Sequence, residues 1–129
     1  MADNRRTRFT VLLSVDPRTR ITEVGDFIAE DLSRHFGGAT IIGTPDPLVC
    51  AGYWAEDGQE FRREYEGPIH KEPVLGLMLS VLPEDEERAY ELIQQAVAGA
   101  VTMFNLASRY VHIETQLTTA RHVDISGRL

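Results

Sequence analysis

Residues 74–82 are apolar on both sides of an extended backbone, and this limits where they can sit. Leu75, Leu77, Leu79 and Val81 fall on one face, and Val74, Gly76, Met78 and Ser80 on the other. Residues 8–15 repeat the pattern, with Phe9, Val11, Leu13 and Val15 on one side and Thr10, Leu12 and Ser14 on the other. A side-chain period of two makes both segments strands. Leu12 makes the second face of the first strand partly apolar, which suits an interior position. Pro17 and Pro83 stop them, because proline has no amide for the ladder.

Between these strands, Val24, Phe27, Ile28, Leu32 and Phe36 recur at helical spacing, so a helix is expected over 22–36. Thr22 is its expected N-cap and Gly37-Gly38 its left-handed stop. After Pro83, four acidic residues at 84–87 suit the positive end of a helix. Ala89, Leu92, Ile93, Ala96, Val97, Ala100, Val101 and Phe104 carry its apolar stripe to about residue 105. The small residues on that stripe let a helix lie close to a sheet.

The other extended segments alternate or break. Residues 39–54 contain Pro45 and Pro47, which demote them to an interrupted rim strand. Asp57-Gly58 is a turn signal. A hairpin with arms 48–56 and 59–66 is therefore expected, its second arm charged at Glu60, Arg62, Glu64 and Glu66. Residues 109–119 alternate Val111, Ile113 and Leu117 with Tyr110, His112, Glu114, Gln116 and Thr118, as a half-wet strand does. Residues 120–126 carry a short further alternation at Val123 and Ile125, and are expected to add a strand to this sheet or to that of another subunit.

The order β-α-β-β-α-β is that of the split βαβ unit. The expected fold is α+β, a ferredoxin-like βαββαβ sandwich in one domain over 1–129. Its four-stranded antiparallel sheet has 8–15 and 74–82 inside, 39–54 and 109–119 at the rims, both helices on one face, and an extended hairpin between the helices. The other face is left open, and an exposed face that mixes apolar and polar groups marks a contact or ligand site.

Composition excludes several classes. Hydrophobic residues make up 43% of the chain and charged residues 26%, as in globular domains rather than disordered or fibrous ones. Thirteen basic against twenty acidic residues leave a net charge of -7, so the field that draws proteins to nucleic acid is missing. The longest apolar run is too short for a bilayer, and no signal-peptide core follows the basic start, so neither nucleic acid nor membrane is an expected partner. The one cysteine, Cys50, cannot close an internal disulfide, which points to the cytoplasm, and with Val49 and Ala51 beside it a buried position is expected.

With its long ribbon before the third core strand and the acidic helix start Pro83-Glu84-Asp85, this arrangement resembles the PII-like group of small ferredoxin-like regulators. The resemblance implies a homo-oligomer, dimer or trimer, that binds a small-molecule ligand at subunit clefts beside a loop in the position of residues 45–70. The connection 104–109 holds no glycine, unlike the nucleotide-binding segment of PII proteins, so no binding residue carries over.

The chemistry the residues offer is spread over the expected open face and the ribbon. His112-x-Glu114 places an imidazole and a carboxylate on one face of a strand, as a general base with its orienting partner would be. Tyr110, Ser14 and Ser80 share that face. Tyr53 and Trp54 beside the hairpin turn offer aromatic contact surface. His70-x-Glu72 repeats the His-x-Glu spacing, and the two pairs together would make a set suited to zinc, manganese or iron. No phosphate loop, dinucleotide fingerprint or serine-hydrolase elbow is present. The expected role is binding or regulation through the open face or a subunit cleft. The alternatives are a small enzyme using His112 and Glu114 as an acid–base pair, and an interaction module acting through the 45–70 ribbon.

Overall fold

The computed structural model describes residues 4–16, 19–42, 50–58 and 64–127. Their order is β1 (Arg5–Ser14), α1 (Ile21–Phe36), β2 (Thr40–Ile42), β3 (Cys50–Ala55), β4 (Ile69–Val81), α2 (Glu86–Met103) and β5 (His112–Thr119). The strands form one open, five-stranded antiparallel sheet, so the chain is α+β with two helices. β4 and β1, the two strands that are apolar on both faces, lie inside. β5 follows β1 to one rim, and β2 and β3 share the other, both paired with β4.

The strand count corrects the expected four. The single rim strand expected over 39–54 is two strands: β2 pairs with 76–78 and β3 with 69–74. Pro45 and Pro47 fall between them, outside the described residues. The expected second hairpin arm, 59–66, is seen only in its last residues. Residues 59–63, with Arg62 and Arg63, lie outside the described residues, 64–66 are not strand, and β3 pairs instead with the start of β4. β4 is thirteen residues long, so it extends beyond its pairing with β1 and offers β3 a ladder there.

The odd residues of the inner strands are dry. Phe9, Val11, Leu13, Leu75, Leu77, Leu79 and Val81 are all buried. They form one cluster with Val24, Ile28 and Leu32 of α1 and Ala89, Ile93, Ala96, Val97 and Ala100 of α2. Both helices therefore cover the same side of the sheet. The three alanines bring α2 close to the strands, and Phe27 and Phe104 meet edge to face at 5.8 Å. No described helix is long and apolar enough to cross a membrane.

The helix ends differ in how they are set. α1 starts at Ile21 with Arg20 as N-cap, not at Thr22, and no side chain caps it. Ile21 is buried, so packing draws it into the first turn, and the Arg20 guanidinium sits 3.3 Å from the Glu23 carboxylate instead. Gly37, at φ 88°, ends α1 as expected. A 3-10 turn, Pro83–Asp85, precedes α2, whose first turn holds Glu86 and Glu87.

Ile93 is fully buried, whereas Leu12, on the other side of the sheet, is 38% exposed. Ile93→Ala is therefore expected to cost about 2–5 kcal/mol in urea denaturation and Leu12→Ala less than about 1 kcal/mol. Equal costs would show that the sheet is covered on both sides.

Candidate functional site

The uncovered face is built from even residues, and the strand register orders them in rows. One row runs Ile42–Gly76–Leu12–His112 and the next Thr40–Met78–Thr10–Glu114. Beyond these lie Ser80–Arg8–Gln116 on one side and Cys50–Val74–Ser14 on the other. Gly76 is a dent in the second of these strands. A Cβ there would come 3.2 Å from the Ile42 Cβ and 3.5 Å from the Leu12 Cδ2. Ile42 and Leu12 lean into the space that glycine leaves, and each still keeps 38% of its surface exposed. The middle of the face is thus apolar, and its β5 side is polar.

On that polar side the His112 Nε2 stands 3.6 Å from the Glu114 Oε1. The two side chains are 63% and 67% exposed, so as an ion pair they add at most about 1 kcal/mol to stability. Among the described residues nothing encloses them. Tyr110 precedes β5 and is 65% exposed. The backbone there is tied to β1 by the Ser108 hydroxyl, which donates to the Ser14 carbonyl at 2.5 Å. Arg8 donates to the Gln116 side chain at 2.7 Å and so closes the row that also holds Ser80.

The remaining candidates sit on the ribbon of β3 and the first residues of β4. Trp54 stacks on His70, with ring centroids 4.3 Å apart. The His70 Nε2 lies 4.0 Å from the Glu56 carboxylate, beyond hydrogen-bond reach. Tyr53 faces the opposite side of the ribbon, under the Lys71 ammonium. Cys50, expected to be buried, is exposed. It stands opposite Val74 at the root of the ribbon.

His70 and Glu72 are therefore not brought to His112 and Glu114. His112 is in the row of Gly76, and six residues of strand separate Gly76 from His70, roughly 20 Å at ~3.3 Å per residue. Among the described residues no group of three or more His, Cys, Asp or Glu side chains could hold a metal ion.

Two features escaped the sequence reading. A shallow groove of about 290 Å³ lies on the helix side, lined by Phe9, Ile113, Thr115, Tyr90, Glu86 and Glu87. The half-exposed Tyr90 next to an acidic helix start was its only trace in the sequence. The second is a clamp at the ribbon tip. The Asp57 carboxylate accepts hydrogen bonds from the amides of Glu66 (3.2 Å) and Gly67 (3.0 Å). A Cβ on Gly67 would meet the Asp57 Oδ1 at 2.7 Å, so only glycine allows that approach.

No family model matches the chain, and no curated protein matches it. Solved structures do. A phage SAM lyase in its apo state superposes with a TM-score of 0.51 at 13% identity, over 96% of this chain and 97% of that one. A phage SAM lyase in complex with S-methyl-5'-thioadenosine gives 0.51 at 15% identity, over 96% of each chain. At such identity the likeness is one of fold.

Asp57→Ala removes the acceptor of two amides, each worth about 1–2 kcal/mol at a partly exposed charged site. Amide exchange is expected to speed up across 50–58 and 64–73 and to stay unchanged across 76–81. A uniform change would show that the ribbon and the sheet open together.

Proposed function

We propose that the chain is a small-molecule-binding protein, that it works as a homo-oligomer, and that its ligand is an adenosyl thioether or sulfonium. S-methyl-5'-thioadenosine and SAM are the first members of that class to test. The end-to-end fold likeness to a lyase solved with S-methyl-5'-thioadenosine carries this reading. The chemistry of the open face supports it. Leu12, Ile42 and Met78 offer apolar contact for a thioether methyl, Tyr110 a surface for a base to stack on, and Glu114 a counter-charge for a sulfonium. Tyr53 and Trp54 lie too far along the ribbon to touch the same small ligand within one chain, so the half of the face around His112, Glu114, Tyr110 and Ser14 is the proposed site. Because this half is open in one chain, a subunit cleft is the place where it would be enclosed.

The strand order, with β4 and β1 inside and both helices on one face, supports reading the fold as ferredoxin-like with an extended ribbon. The resemblance to PII-like regulators is proposed on the same ground. A second reading, that of an enzyme, is favoured by the contact of His112 with Glu114. There His112 would be the base and Glu114 its orienting partner.

Thermal unfolding with each probe tests the first reading. A ligand at a hundred times its Kd stabilises a folded chain by about 2.7 kcal/mol, several degrees in Tm for a domain of this size. His112→Ala and Glu114→Ala are each expected to weaken binding at least about tenfold, the loss of one charge-assisted contact. No shift with either probe, and no heat on calorimetric titration, would overturn the ligand class. Incubation with SAM and separation of any S-methyl-5'-thioadenosine formed tests the enzymatic reading. Product from the parent chain, lost in His112→Ala, is the expected result if that reading holds.

A further inference from the structure

Beyond β5 the chain joins no strand among the described residues. The Ala120 amide still donates to the Asn4 carbonyl at 2.9 Å, and residues 121–125 then run on without regular structure. Val123 and Ile125, 55% and 71% exposed, are two residues apart and would share a face once this run is extended in a sheet. The run ends where the Asp124 carboxylate accepts from the Ser126 amide and hydroxyl at 2.9 and 2.6 Å. Those bonds, the hydroxyl's first, hold the Asp124 carboxyl below its ordinary pKa.

β5 meanwhile presents a bare rim. Residues 112–119 contain no lysine and no proline and, among the described residues, have no partner on the side away from β1, and such edges are the ones natural sheets cover or blunt. Since the Ala120 amide points toward β1, strand alternation turns the backbone groups of Leu117 and Thr119 outward. Leu117 is 75% exposed on the helix side of that rim, beside the groove with Glu86 and Glu87.

We infer that residues 120–126 of one copy pair with β5 of a second copy, so that β5 and its extension form one long strand lying antiparallel to its own twin. The inference deepens the oligomer part of the function proposed above and does not depend on the ligand. A two-fold axis through Ala120 sets Val123 opposite Leu117 and Ile125 opposite Thr115, joining the apolar residues that both elements leave exposed. Both members of each pair have outward backbone groups, as a hydrogen-bonded pair requires. Arg121 enters on the helix side, where Glu86 and Glu87 carry the opposite charge. His122 and Asp124 fall on the open face beside Thr118 and Gln116, so each copy lends polar groups to the candidate site of the other.

Sedimentation of the full chain at micromolar concentration tests this. The expected mass is twice 14.5 kDa. Leu117→Asp and the double variant Val123→Asp/Ile125→Asp are each expected to halve it, with unchanged circular dichroism, because all three residues are exposed. A monomeric parent chain would overturn the oligomer reading and the arm contact together. An oligomer of unchanged mass in both variants would overturn the arm contact alone. For the register, Ala120→Cys in a Cys50→Ser background places a cysteine opposite its own twin at a disulfide-compatible Cα separation of ~4.5–5.5 Å. It should cross-link on oxidation, and Gln116→Cys in the same background should not. Equal cross-linking, or a mass three times that of the chain, would overturn the two-fold pairing.

Discussion

The rest of the molecule depends on the contact between the odd face of β1 and β4 and the undersides of the two helices. Phe9, Leu13, Leu79, Leu32 and Ile93 are almost wholly buried there. Each such side chain contributes about 1.5–3 kcal/mol on leaving water. The exposed pair of His112 and Glu114 adds less than any one of them. Because the helices supply all of this cover from one side, the even face is left to water, and Gly76, Leu12 and Ile42 can shape it without disturbing the core.

β4 links the two regimes. Its last eight residues pair with β1 over the core, while the ladder of 69–73 runs with β3, the Pro73 carbonyl also accepting from the Val15 amide. A two-stranded ribbon is marginal by itself. This one is held by continuity with the buried end of β4, by the Trp54–His70 and Tyr53–Lys71 contacts across its two faces, and by Asp57 at its tip. The aromatic residues of the ribbon thus have a structural task of their own, separate from the open face some 20 Å further along.

Much of this division was legible in the sequence, because parity is a local property. Leu75, Leu77, Leu79 and Val81 read directly as the dry face of an inner strand, and the stripes of Val24, Ile28 and Leu32 and of Ala89, Ile93 and Ala96 read as helices that cover it. His112 and Glu114 came out adjacent because residues two apart on a strand share a face. What local pattern does not carry is register. The pairing of β3 with 69–74 follows from how far β4 outruns β1, which no window of residues encodes. Cys50 misled for a related reason: apolar neighbours in sequence do not decide whether a position on a rim strand is covered, and this one is exposed. Thr22 has the chemistry of a cap, and the burial of Ile21 outweighed it.

Such a fold tolerates wide change in sequence. The core asks only for apolar side chains of suitable volume at alternate positions, and the even face asks for nothing that folding requires. A likeness over 96% of the chain at 13–15% identity is what that combination allows. His112, Glu114 and Tyr110 are all exposed, so substitutions there are expected to leave the sheet intact. The binding site proposed above therefore rests on residues that contribute least to stability, and these positions can change without cost to the core beneath them.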